Sequence, residues 1–300
     1  MSIFNSMVVA TLPLIPKSVV RLVAQRYIAG ATLDDAVRVT QELMRRGATA
    51  TIDVLGEFVT SRDRAIAETQ HQSEVISAIH AHGLSAYLSV KPTSLGLDVD
   101  PEFAYANLAG LVRKARDIGV FVRMDMENTP YTDVTLEFYR KLQAEGLTNI
   151  GVVIQAYLRR SEADIQSLLP YKPSVRLCKG IYVESEEHAF KDPEEIRANY
   201  CKLLHMLLQG GGKTHIATHD EVLINAAEAM IATENISPEQ YEFQMLLGVR
   251  EDRRDTLIRS GHTVRIYVPF GEDWYGYSTR RLKENPQVAG YVAKAILTGR

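Results

Sequence analysis

Near its C-terminus the chain reads Tyr277-Ser278-Thr279-Arg280-Arg281-Leu282-Lys283-Glu284-Asn285-Pro286. Pro286 limits a helix here, and Asp273 can serve as its N-cap. Tyr277, Arg280, Arg281 and Glu284 then fall three and four residues apart and share one face. Two adjacent guanidinium groups present planar, paired donors that suit a carboxylate. Tyr277 sets a flat ring beside them, and Glu284 can hold an arginine or lysine in position. A solvated, salt-bridged helix produces the same pattern, so its meaning depends on what the rest of the chain brings nearby.

Eight other places carry polar or ionisable side chains at the end of, or within, an apolar β-branched run. They are Glu57 after Gly56, Lys91, Asp125-Met126-Glu127-Asn128, and Gln155. Arg176 with Lys179-Gly180, Thr218-His219-Asp220, Gln244 and Tyr267 complete the set. The runs cover 48–55, 85–90, 121–126, 149–156, 175–179, 215–219, 241–246 and 263–268. Most are nearly continuous in apolar residues, as expected of strands buried on both faces.

Amphipathic helical stretches separate the runs. One spans 62–82 with Ile66, Val75, Ala78 and Ile79 on one side. Another spans 102–118 behind Pro101, and a third, 193–208, spaces Ile196, Tyr200, Leu203, Leu204 and Leu207 helically. Gly83, Gly119, Gly146 and Gly261 sit where left-handed helix C-caps are wanted. Strict alternation repeated eight times implies a parallel sheet, and the count favours closure into a (β/α)8 TIM barrel. No Gly-x-Gly-x-x-Gly follows the first strand, which removes the usual Rossmann signal. Chemistry in such a barrel sits at the C-terminal strand ends, where these polar residues fall. Residues 1–46 read as extra N-terminal helices, 32–46 among them, and 47–300 as the catalytic barrel.

With 300 residues, 46% of them hydrophobic, the chain can bury one large core. A net charge of −3 argues against nucleic acid as a partner. Two cysteines, Cys178 and Cys201, permit no disulfide framework and suit a reduced, cytoplasmic setting. The apolar segment 7–15 lacks a basic start and is too short to span a bilayer. It suits either packing on the barrel or peripheral contact with the inner face of the cell membrane.

The run Val264-Arg265-Ile266-Tyr267-Val268-Pro269-Phe270-Gly271, leading into Tyr277-x-x-Arg280-Arg281-x-x-Glu284-Asn285, resembles the C-terminal signature of the proline dehydrogenase family. Val90-Lys91-Pro92, Asp125-Met126-Glu127, Val175-Arg176-Leu177-Cys178-Lys179-Gly180-Ile181-Tyr182 and Ala217-Thr218-His219-Asp220 agree in the same order. Leu55-Gly56-Glu57 and Glu242-Phe243-Gln244-Met245-Leu246 also match, so the resemblance runs from about residue 50 to 290. The length is similar to the small monofunctional bacterial form. Ile181 stands where the family often has Ala, and Cys178 where Val is common.

The resemblance implies a distorted barrel whose last helix lies over the active-site mouth, with FAD bound non-covalently. It implies oxidation of L-proline to Δ1-pyrroline-5-carboxylate, the first step of proline catabolism, with electrons passed to a membrane quinone. By the same resemblance Arg280 and Arg281 hold the proline carboxylate and Lys91 adds a third positive charge. Leu246, Tyr267 and Tyr277 pack on the ring, Asp125 lies beside it, and Arg176 sits near the flavin N5 edge. Met126, Gln155, Lys179, Gly180, Ile181, Thr218 and His219 line the FAD site. Glu57 closes as a gate on Arg280, and Glu284 orients the arginines. No metal is implied, and a homo-oligomer is compatible with the sequence.

Two other chemistries compete on the same barrel. Lys179 ends a strand, as the amine of a Schiff-base aldolase would. His215 and His219 share a strand face that Asp125 and Asp220 could complete for a metal-dependent hydrolase. Gly212-Lys213-Thr214 precedes its strand and fails as a phosphate loop. Cys201 and His205, one helical turn apart, read as core packing.

Overall fold

A computed structural model describes residues 26–274. Its strands are β1 (Thr49–Val54), β2 (Ala86–Val90), β3 (Phe121–Met124), β4 (Ile150–Gln155), β5 (Ser174–Cys178), β6 (Lys213–Ala217), β7 (Tyr241–Leu246) and β8 (Val264–Phe270). Each pairs in parallel with the next, and β8 returns to β1 to close the barrel. Helix α1 (Leu33–Arg45) precedes β1 and packs against β1 and β8. The crossovers are α2 (Arg62–Ala81), α3 (Pro101–Asp117), α4 (Thr132–Ala144), α5 (Ser161–Leu168), α6 (Pro193–Gln209), α7 (Glu221–Thr233) and α8 (Glu251–Arg259). Among the described residues no helix is long and apolar enough to cross a membrane.

Local chemistry sets the helix ends. Asp100 and Asp192 each accept two backbone amides, with Pro101 and Pro193 just inside. The expected C-terminal glycines all have positive φ: Gly83 at 58°, Gly119 at 74°, Gly146 at 76° and Gly261 at 85°. Helix α2 departs from expectation. Its buried face carries Ala65, Glu68, Gln72, Val75, Ile76 and Ile79, and Ile66 points outward. Buried Glu68 and Gln72 complete the inward stripe, so an apolar-only count assigned Ile66 to the wrong face.

The strands are buried on both faces, yet the faces differ in kind. Ile52, Leu88, Val122, Val152, Leu177, Ile216, Phe243 and Ile266 pack in the apolar core beneath the helices. The alternate positions hold Asp53, Ser89, Arg123, Arg176, His215, Glu242, Gln244 and Arg265, all buried. These face the barrel axis. Tyr267 of β8 donates to Asp125 beyond β3, and Arg176 of β5 pairs with the same carboxylate. Bonds that skip intervening strands run through the interior. Branched apolar side chains usually fill such barrels; a polar interior replaces them here.

At the deeper level Arg265 donates to both Glu242 oxygens, at 2.6 and 3.2 Å, and to the Ala50 carbonyl at 2.6 Å. Its guanidinium lies 3.4 Å from the Tyr87 ring centroid. His215 Nδ1 donates to Glu242 at 2.7 Å, while Nε2 accepts from the Ser174 hydroxyl at 2.8 Å. Arg123 donates to Ser174 Oγ at 2.8 Å and to the Val152 and Ser174 carbonyls at 2.9 and 2.7 Å. Burial pushes His215 down to about 3, so the imidazole is neutral. Burial and the nearby Arg176 lower Arg123 to about 9. Burial alone would raise Glu242, but His215 and Arg265 hold it well below the usual carboxylate range.

Gly151 makes room for this network. A Cβ there would stand 2.3 Å from Arg123 Nη1 and 2.5 Å from the Ser174 carbonyl oxygen. Gly151→Ala is therefore expected to cost about 1–3 kcal/mol by overpacking. Chemical denaturation checks this, and an unchanged midpoint would mean that Arg123 does not need that space.

Candidate active site

A cavity of about 1210 Å³ opens at the C-terminal ends of the strands. That exceeds the roughly 300–1,000 Å³ usual for a ligand pocket and suits a large cofactor with a small substrate. Glu57, Lys91, Asp125, Met126, Gln155, Arg176, Lys179, Gly180, Ile181, Thr218, His219, Leu246 and Tyr267 all line it. Tyr277, Arg280, Arg281 and Glu284, with the helix expected to carry them, lie outside the described residues. Asp273 pairs with Arg64 at 3.0 Å; the helix it was expected to cap lies beyond that limit too.

The floor is a chain of opposite charges. Lys91 Nζ lies 2.7 Å from Asp53 Oδ1 and 3.9 Å from Asp125 Oδ2. Arg176 Nη1 donates to Asp125 Oδ1 at 2.7 Å, and the Ser89 hydroxyl donates to the same oxygen at 2.9 Å. The Tyr267 hydroxyl donates to Asp125 Oδ2 at 3.1 Å, and the Arg176 guanidinium lies 5.4 Å from its ring centroid. Burial works against the charge of Lys91, but Asp53 and Asp125 outweigh it and raise its pKa. Arg176 Nε donates to Gln244 Oε1 at 2.6 Å, and Gln244 Nε2 donates to Glu242 at 2.7 Å. The floor is thereby tied to the deep network.

The side of the cavity formed by β5, β6 and their loops is built differently. Lys179 and Arg197 both pair with Asp220, at 3.1 and 2.9 Å, and Asp220 also caps α7 through Val222 N. Burial opposes the Asp220 charge, but the bonds from Arg197 and Lys179 keep its pKa lowered. His219 Nε2 accepts the Leu246 amide at 2.9 Å, and Arg250 donates to the His219 carbonyl at 3.2 Å. Gly180, at φ 118°, passes so close to Tyr157 that a Cβ would stand 2.2 Å from the ring. Arg176 Nη2 and Gln155 Oε1 are buried without a hydrogen-bond partner among the described residues.

The rival chemistries fit this arrangement poorly. The Lys179 side chain is 45% exposed and ion-paired, unlike the desolvated amine that favours a Schiff base. His215 has both ring nitrogens engaged in the deep network, while His219 lies past the end of β6 at the cavity, so the two do not converge. His205 is an exposed surface partner of Glu234 rather than core.

The motif reading missed Asp53, Arg197 and Arg250. Asp53 had a signal: an acid inside the apolar run Thr49–Val54 needs a buried partner. Arg197 and Arg250 had none, because their position depends on how α6 and the loop after β7 fold over the strand ends.

The proline dehydrogenase family model matches residues 36–294. The chain is 39% identical to proline dehydrogenase 1 of Bacillus subtilis strain 168, over 92% of this chain and 91% of that one. It is 36% identical to the proline dehydrogenase of Deinococcus radiodurans, over 92% of this chain and 90% of that one. Among solved structures, proline utilization A of Bdellovibrio bacteriovorus, inactivated by N-propargylglycine, superposes with a TM-score of 0.82 at 28% identity. That match covers 88% of this chain and 32% of the other, so the likeness is to about a third of that protein.

The floor pairing predicts strong coupling between Asp53 and Lys91. Asp53→Leu should lose about 2–4 kcal/mol, because it leaves buried Lys91 with only the more distant Asp125 carboxylate. Asp53→Leu with Lys91→Met should lose much less than the sum of the single losses. Additive losses in a denaturation cycle would show that the two charges do not depend on each other.

Proposed function

The chain belongs to the proline dehydrogenase family, and from that premise we propose that it oxidises L-proline to Δ1-pyrroline-5-carboxylate with the residues gathered at this cavity. Bound non-covalently, FAD would supply the two-electron acceptor, with N5 taking hydride from proline C5. A membrane quinone would be the final electron acceptor, as the family resemblance implies.

Several features of the cavity support a flavin. Its volume suits a dinucleotide, and the buried, unpartnered Arg176 Nη2 and Gln155 Oε1 offer a donor and an acceptor for a polar heteroaromatic edge. Lys179, Arg197 and Arg250 supply positive charge for the phosphates. Met126, Gly180, Ile181, Thr218 and His219 line the same cavity.

The observation that carries the substrate reading is the clamped floor. Asp125 has both oxygens engaged, by Ser89 and Arg176 on one and by Tyr267 on the other. It is thus suited to fixing Arg176 and Tyr267 rather than to acting as a free base. Proline must lose its ammonium proton before C5 gives up hydride, because the nitrogen lone pair stabilises the developing cation. Lys91 stays charged and disfavours a second cation beside it. Arg280 and Arg281 hold the carboxylate, with Glu284 orienting them and Tyr277, Tyr267 and Leu246 against the ring. Glu57 closes over the bound substrate. Rate enhancement comes mainly from orientation and charge placement.

Incubation with L-proline, FAD and a soluble quinone should yield pyrroline-5-carboxylate, detected as its coloured adduct with o-aminobenzaldehyde. Absence of product from FAD-loaded protein would sink the proposal. If Arg281 binds the carboxylate as the family resemblance implies, Arg281→Met should raise KM for proline by about two orders of magnitude. An unchanged KM would remove Arg281 from the carboxylate site.

A further inference from the structure

Asp125-Met126-Glu127 stands out in the sequence, and the first two residues line the cavity. Glu127 does not line it. Its side chain is fully buried, and its carboxylate is turned toward Thr93, also fully buried in the turn after β2. The Thr93 amide donates to Glu127 Oε2 at 3.0 Å, and the Thr93 hydroxyl donates to Oε1. Gln155 fixes the other end of the residue by donating to the Glu127 carbonyl at 2.9 Å.

Thr93 also holds the loop between β1 and α2. Its hydroxyl oxygen accepts the Phe58 amide at 2.9 Å, and its carbonyl accepts the Val59 amide at 3.2 Å. Phe58 is 40% exposed and has φ of 56°, a left-handed conformation that its side chain disfavours. Burial of its side chain does not account for that conformation, whereas the bonds to Thr93 do. Glu57, at the cavity wall, immediately precedes this tethered pair.

We propose that Glu127 and Thr93 are positioning residues that hold the β1–α2 loop, and with it Glu57, against the cavity. The direction of the bonds is what makes the carboxylate necessary. An ionised carboxylate only accepts, so the Thr93 hydroxyl gives it its proton and keeps a lone pair for the Phe58 amide. A protonated acid or an amide in its place donates to the hydroxyl. The hydroxyl proton then has no acceptor and competes with the Phe58 N–H.

The tether should loosen on acidification. Burial pushes Glu127 up to about 7, against the lowering bonds from Thr93 and the charge of Lys91, with Glu57 adding to the rise. The charged groups facing it are thus Lys91 at the end of β2 and Glu57 in the loop, and the Tyr131 phenol is nearby. The group is protonated below about pH 7 and ionised above it, so the loop is held more firmly on the alkaline side.

Hydrogen exchange of the Phe58 and Val59 amides in the FAD-loaded enzyme tests the tether directly. Protection, corrected for the intrinsic rate, should be greater at pH 8 than at pH 6. Thr93→Val keeps the shape of the side chain and should reduce protection about tenfold. Thr93→Ser should restore it, and Glu127→Gln should abolish the difference between the two pH values. Parental protection in Thr93→Val, or a pH difference that survives in Glu127→Gln, would overturn the proposal. The step from loop to substrate rests on the proline reading of the site. Thr93→Val should therefore raise KM for proline several-fold while kcat changes little. Loss of protection with an unchanged KM would overturn that step while leaving the loop tether standing.

Discussion

A charge placed inside a closed barrel must find its partner there, and this constraint organises the molecule. Arg265, Glu242, His215, Gln244, Arg176, Asp125, Lys91 and Asp53 form one connected series from the deep interior to the cavity floor. Each ion added to a low-dielectric interior carries a desolvation cost of several kcal/mol unless it is paired and hydrogen-bonded. In this series the partner of each charge is supplied by a different strand or by the residue just past its end. Correct strand order and register are therefore conditions for burying any of them.

The same arrangement explains why the two strand faces divide the work. The outward positions form the apolar contact with the helices and contribute most of the hydrophobic stabilisation. The inward positions give up branched packing and gain a preorganised field. Arg176 illustrates the gain: Gln244 and Asp125 fix two of its nitrogens, and the third is buried without a partner among the described residues. A flexible side chain on a surface loop could not present that donor at so little entropic cost on binding.

The barrel was legible in the sequence because outward-facing strand positions are apolar, most of them β-branched or aliphatic, and because glycine marks the helix ends. The near-continuous apolar look of the strands concealed the inward alternation. Arg123, Glu242 and Arg265 sit within those runs, and only closure of the sheet brings them together. The cavity-lining residues were legible because strand ends converge in any closed parallel barrel. Asp53 was visible as an isolated acid, but its pairing with Lys91 depends on the β1–β2 register. The tether from Glu127 through Thr93 to Phe58 joins three separate segments, and no local spacing encodes it. Ile66 shows the converse error, where an apolar residue lies just off the buried face of α2 while polar Glu68 and Gln72 lie on it. Tyr277, Arg280, Arg281 and Glu284 remain readings of the sequence, outside the described residues.

The central claim is that one cavity brings proline and a flavin together for electron transfer. An absorption spectrum of the FAD-loaded protein, recorded without oxygen before and after addition of L-proline, tests it most directly. The account predicts a bound-flavin spectrum whose visible bands bleach on addition of proline and return when a quinone is added. A protein that binds no flavin, or one whose flavin bands are unchanged by proline, would contradict it.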